Sequence, residues 1–198
     1  MNRQTPDLAA PFLRAHGDLL AFVESCDESN WHTIPATEQR PVGVLAYHVA
    51  AGYAVETELI KAVVAGQPLP AIYLDGAALD RFNAADADEH HDCAREETVS
   101  LLRRNAAATE AYIRGLSDED LRRTAHVPIL APHFGTRVSV LQLVEGLLPA
   151  HVLMHLVEMR AATGGAAIGQ GAEPVDRRTV PRSHDAAIGV PTPTSDPA

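Results

Sequence analysis

Two apolar stripes with helical spacing, both interrupted by histidine, constrain this chain more than any other feature. Between Pro41 and Gly66 the positions Leu45, His48, Gly52, Val55, Leu59 and Ala62 step by three and four residues. Between Ser139 and Gly164 the positions Leu141, Val144, Leu148, His151, His155, Glu158 and Ala162 do the same. A period of 3.6 puts such positions on one face of an α-helix, and that face must be covered. Two more segments carry the pattern. Residues 6–25 present Leu8, Phe12, Ala15, Leu19, Phe22 and Val23, and residues 88–116 present Leu102, Ala106, Thr109 and Ile113. Aromatic residues are only 5% of the chain and no two-residue alternation of Val, Ile or Thr appears, so strands are not expected. Four amphipathic helices that must bury four stripes predict an all-α four-helix bundle.

Local signals support the helix ends. Pro41 suits a first helical position, Gly66 a C-terminal stop, and Ser139 with Gln142 forms a capping-box pattern. The second and third helices are joined by roughly 20 residues, far more than antiparallel neighbours need. A link of that length suits a crossover that lets the two run parallel. The third link, Ser117 to Val138, has room for a short hairpin or a cap over one end of the bundle. Pro149 lies inside the last helix, where it removes a hydrogen bond to the Glu145 carbonyl and is expected to bend the chain just before His151.

Residues 1–163 therefore read as one domain. Residues 164–198 differ: Gly164–Gly171 is rich in Gly and Ala, and Pro191–Ala198 alternates Pro with small polar residues. Such a segment buries too little to offset its ordering entropy, and a disordered extension is expected. Sixteen Lys and Arg against 26 Asp and Glu leave a formal charge of −10, which argues against a nucleic-acid surface. No apolar run approaches the ~20 residues of a membrane span, and Met1–Ala10 has no hydrophobic leader core. Cys26 and Cys93 are too few for a disulfide framework. A cytoplasmic protein with a small-molecule partner is expected.

Of the ten histidines, His48, His151 and His155 stand apart because each falls on an apolar stripe. His151 and His155 are one helical turn apart. His48 lies seven residues after Pro41 and His155 seven before Ala162, so in antiparallel helices the two share a level. Three rings in one layer present up to six nitrogens, each costing ~1–3 kcal/mol if left unsatisfied. A divalent ion satisfies three of them together. The competing reading is a set of packed core histidines. Glu158 on the same stripe is a candidate outer-shell partner or proton acceptor, or an exposed carboxylate where the stripe ends. His90 and His91, amid Asp88, Glu89 and Asp92, read as a solvated start of the third helix. Cys93 follows that acidic stretch, which raises its pKa, so neither cysteine is expected to act as a nucleophile.

Trp31, the run Arg40-Pro41-Val42-Gly43-Val44-Leu45-Ala46-Tyr47-His48, Asn83, and His151-x3-His155 with Glu158 together resemble the DinB-like (YfiT-like) superfamily of metalloenzymes. The resemblance covers about residues 6–163. It implies an up-down-down-up bundle, often homodimeric, with a metal held by three histidines. The family includes S-transferases that use low-molecular-weight thiols such as mycothiol, glutathione or bacillithiol. In its maleylpyruvate isomerase branch the first ligand of the last helix is often Glu. Here it is His151, so that activity is not carried over. Three histidines leave a coordination position open, as in catalytic zinc sites. Zinc or nickel suits the ligands, and imidazole also accepts iron. The expected function is a metal-dependent thiol S-transferase or a related hydrolase. The alternatives are a non-catalytic dimeric bundle with the metal as a staple or absent, and a carrier with a large apolar cavity.

Overall fold

A computed structural model describes residues 7–164. The expectation of a disordered tail therefore falls, from residue 165 on, outside the described residues. The helices are α1 (Ala10–Ser25), α2 (Glu28–Trp31), α3 (Val42–Ala65), α4 (Gly76–Glu89), α5 (Arg95–Arg114), α6 (Asp118–Arg122), α7 (Ala131–Phe134), α8 (Val140–Gln142) and α9 (Leu148–Ala162). A π-helical turn, Leu143–Leu147, joins α8 to α9, so Val140–Ala162 is one continuous helix. With α1, α3 and α5 it forms the bundle.

The chain directions follow from side-chain pairs. Asn105 Nδ2 donates to the Ala50 carbonyl at 2.8 Å, Thr57 and Thr109 share a hydroxyl bond at 2.9 Å, and Lys61 lies over the Tyr112 ring. Numbers rise together on both helices, so α3 and α5 run parallel. Arg103 pairs with Glu24 and Arg114 with Asp7, so α1 and α5 run antiparallel. Glu56 approaches His151 and His48 approaches His155, so α3 and α9 are antiparallel. The order is up-down-down-up, with α3 packed most extensively against α5.

The long second link makes the parallel pair possible, and it is not a plain loop. It carries a 3-10 turn, Ala71–Tyr73, and then α4. Asp75 caps α4 by accepting from the Ala77 N–H at 3.1 Å. No α4 residue is fully buried, so the helix lacks the apolar stripe by which the others are recognised. This corrects the start expected for the third helix near residue 88. Asp88 and Glu89 end α4, and α5 begins at Arg95. The third link does hold a hairpin, in which Thr124 pairs with Ser139 and Ala125 with Val138 in an antiparallel ladder.

Capping proceeds as expected at Gly66 and Ser139, while Pro41 stands one position earlier than expected, as the N-cap of α3. Gly66 takes φ +63° after α3, and both halves of the Ser139–Gln142 capping box form. Pro149 is accommodated differently from a simple bend. The Leu148 N–H donates to the carbonyl of Leu143, five residues back. The helix widens by one residue just before the proline, a familiar answer to a lost i→i−4 bond. Gly146 sits in this wide turn, where a Cβ would come within 2.8 Å of the Phe134 ring.

The expectation that no apolar run reaches the length of a membrane span needs amending. Val140–Ala162, at 23 residues, is long and apolar enough by length and composition. Its place is the bundle core, where Leu143, Leu148, Val152, Leu156 and Met159 are buried.

Trp31 closes the bundle beside the N-terminus of α3. Its Nε1–H donates to the Cys93 carbonyl at 3.1 Å, and its ring lies on Gly43. A Cβ at Gly43 would stand 2.5 Å from the indole. Gly43→Ala must therefore displace the ring, at a cost of about 1–3 kcal/mol for overpacking. Urea unfolding followed by the fluorescence of Trp31, the only tryptophan, should show a lowered midpoint and a red-shifted native spectrum.

Candidate metal centre

His48 comes from the second turn of α3, and His151 and His155 from successive turns of α9. Because α3 and α9 are antiparallel, equal depth in sequence becomes equal height in the bundle. The ring centroids of His48 and His155 are 5.4 Å apart, those of His48 and His151 5.3 Å, and those of His151 and His155 5.1 Å. One ligand atom from each ring falls within 4.8 Å of the other two. All three sequence-derived ligands are thus gathered. Gly52, one turn beyond His48, explains a gap in the apolar stripe. A Cβ there would come within 3.0 Å of His151 Cε1, so glycine leaves the space the ring occupies.

Each ring has a carboxylate on its Nδ1 side. Asp86 Oδ2 is 3.5 Å from His48, Glu56 Oε1 is 2.9 Å from His151, and Glu158 Oε2 is 3.4 Å from His155. Glu38 Oε1 adds a longer approach to His155 at 3.9 Å. Carboxylates behind imidazoles set ring orientation and raise ligand basicity, leaving Nε2 as the nitrogen to offer. Alignment is incomplete. His151 Nδ1, His155 Nδ1 and Glu56 Oε2 are buried with no hydrogen-bond partner among the described residues. Each such group costs about 1–3 kcal/mol. Coordination through Nε2 would fix each ring with its Nδ1–H turned to the carboxylate behind it and so offset that cost, and the residues present fit a metal.

Burial favours the neutral forms of His48 and His155. It lowers the His48 pKa, opposed by the hydrogen bond that the ring donates to Asp86, and lowers that of His155 well below the ordinary value, with His151, His48 and Arg40 acting in the same direction. Neutral imidazole is the form a metal requires. Glu38, His155 and Glu158 also lie close enough to hold an ion. Glu38 Oε2, however, already accepts from Arg40 at 3.1 Å, and a neutral His155 has one lone pair to give. The three-histidine set is the stronger donor group.

The centre opens on a cavity of about 480 Å³. Its lining includes all three histidines, Glu38, Arg40, Glu56, Asp86 and Glu158, together with Ile72, Leu79, Phe82, Leu130 and Met154. Asn83, singled out by the resemblance, lines it from α4. Glu158 accepts from the Thr37 hydroxyl at 3.4 Å and keeps its side chain 21% exposed, between the two positions expected for it.

Asp86, Glu56 and Glu38 were not anticipated. Glu56 carries a usable signal, since His48, Gly52 and Glu56 step by four along one face of α3. Asp86 carries none, because it sits on the helix without a stripe. The other described histidines stay outside the centre. His90 is not at a helix start. It ends α4, stacks on Tyr47 at 4.0 Å and approaches Asp86 at 3.7 Å. The Cys93 thiol is raised as expected, with burial as the first cause and Glu97 and Asp92 lesser ones.

A family model described as the DinB superfamily matches residues 12–159. No curated protein and no solved structure gives a significant match.

His48 and His155 are held below their ordinary pKa of 6.5, so the neutral forms stabilise the fold above that value. This contribution falls away as pH drops below about 6.5 towards the depressed values. Chelator-treated protein should lose thermal stability steadily from about pH 6.5 downwards. His155→Leu should flatten that slope in scans recorded across the same range.

Proposed function

This chain belongs to the DinB superfamily, and on that footing we propose that it is a metal-dependent enzyme, a thiol S-transferase or a related hydrolase acting on a small molecule. The observation that carries the reading is the convergence of three imidazoles, His155 buried and His48 and His151 partly buried, beside a cavity of about 480 Å³.

His48, His151 and His155 would hold a divalent cation, with zinc or nickel best suited to the donors and iron also accepted. When bound, the cation supplies Lewis acidity that favours the deprotonated form of a coordinated thiol or water. The protein's own groups do the rest. Three protein ligands would leave the ion a coordination position free for substrate, whereas a structural staple commonly has four. Glu56 and Asp86 orient His151 and His48. Glu158, next to His155 and reachable from the cavity, accepts a proton from the nucleophile or substrate. Leu79, Phe82, Leu130 and Met154 seat the apolar part of the substrate and displace water. A homodimeric, cytoplasmic protein without a nucleic-acid partner completes the proposal, the last point supported by the formal charge of −10.

Metal analysis of the purified protein should find about one divalent ion per chain, with most of it lost in His48→Ala and His155→Ala. Glu56→Gln should bind the ion ~10–100-fold more weakly, as expected for loss of a supporting carboxylate. Unchanged metal content in the histidine variants would remove the site.

Turnover is tested separately, by consumption of a low-molecular-weight thiol with a panel of electrophiles. Metal-dependent consumption is expected, and Glu158→Gln should slow it about 10²–10⁴-fold while retaining the metal. Absence of metal-dependent turnover across the panel would favour a binding protein.

A further inference from the structure

Glu56 is used on one side only by the chemistry above. Its Oε1 faces His151, while Oε2 is buried with no hydrogen-bond partner among the described residues. The residue is 5% exposed and lines the cavity. A buried carboxylate oxygen without a donor calls for one, and Glu56 lines the cavity in which a ligand would sit.

The charge of the cavity says what kind of donor. Its lining has five carboxylates, Glu38, Glu56, Asp80, Asp86 and Glu158, against the single guanidinium of Arg40. Arg40 is already engaged by Glu38 through both Nε and Nη2. A divalent cation reduces the negative excess without reversing it. The remaining wall, including Ile72, Leu79, Phe82, Leu130 and Met154, is apolar.

We propose that the cavity selects an amphiphilic amine, whose ammonium group pairs with the Glu56 carboxylate and whose alkyl or aryl body lies against the apolar wall. The proposal rests on the same cavity being the substrate site. An ammonium brings three donors and a full positive charge, so its bond to the carboxylate is charge-assisted. A carboxylate of the same size and shape meets repulsion, and that difference is the source of selectivity. The rule extends to a thiol co-substrate: one bearing free carboxylates is disfavoured, and one bearing an amine or hydroxyls is admitted.

The test compares three probes with one body, benzylamine, benzyl alcohol and benzoate. Binding to the full chain is measured by calorimetry near neutral pH, in metal-free and in zinc-loaded protein. Benzylamine should bind at least about tenfold more tightly than benzyl alcohol, with benzoate weakest, in both forms. Glu56→Gln should lose about tenfold in amine affinity. Asp80→Asn, an exposed change at the rim, should lose about two- to threefold, and added salt should erase that smaller effect. The second variant keeps the proposal open to refutation should Glu56→Gln fold poorly. Benzoate equal to or tighter than benzylamine, no amine binding at millimolar concentration, or unchanged amine affinity in the variants that fold would overturn it. Amine preference in a protein that takes up no cation would keep this inference and remove the metal chemistry, so the two fail separately.

Discussion

Imidazoles are tolerated in a bundle core only when their nitrogens have something to bind, and this constraint organises the structure around it. Three of them occupy one layer between α3 and α9. Apolar side chains at those positions would serve packing equally well, at no desolvation cost. Their neighbours are adjusted to suit. Gly52 gives up its side chain to make room for His151. The turn before Pro149 widens to a π-helical one, which sets the register of both α9 histidines relative to α8. π turns weaken helices locally and are often found at functional positions. A layer designed only for stability would need neither device.

The topology has a second consequence at the same place. Parallel α3 and α5 need a connection that returns the chain along the length of the bundle, and α4 lies in that connection. It contributes little to the core, as its lack of buried residues shows. It contributes directly to the site, because Asp86 reaches His48 and Leu79, Phe82 and Asn83 line the cavity. A segment demanded by connectivity thus serves as the cavity wall. Being lightly packed, it is also the part of the wall that can open at the lowest cost.

The bundle and its three ligands were legible in the sequence for one reason: both depend on periodicity. Leu45, His48 and Leu59 announce a face whether or not the structure is known, and capping residues such as Ser139 and Gly66 mark where the face ends. Depth along antiparallel helices then follows from counting residues. What periodicity cannot show is a helix without a stripe, so α4 was hidden, and Asp86 with it. It also cannot rank acids. Glu158 drew attention because it continues the stripe of the last helix, yet Glu56, off the chosen stripe of α3, is the more buried and makes the shorter approach to a ring. Burial of a carboxylate is a property of the assembled cavity, not of its own helix.

The carboxylates behind the rings come from separate parts of the chain: Asp86 from α4, Glu56 from α3, Glu158 from α9 and Glu38 from the segment before α3. No single hairpin of the fold contains all three rings together with their supports. The centre is therefore complete only when α3, α4, α9 and the residues before α3 are docked together. In the unfolded chain the same groups would be dispersed in water, where a carboxylate gains little from a distant imidazole. Affinity for a cation at this centre consequently includes the free energy of bringing those elements together, and the cation in turn favours their docking. On this argument the residues that hold the ion and the contacts that hold the bundle form one thermodynamic unit, with the lightly packed α4 as its weakest member.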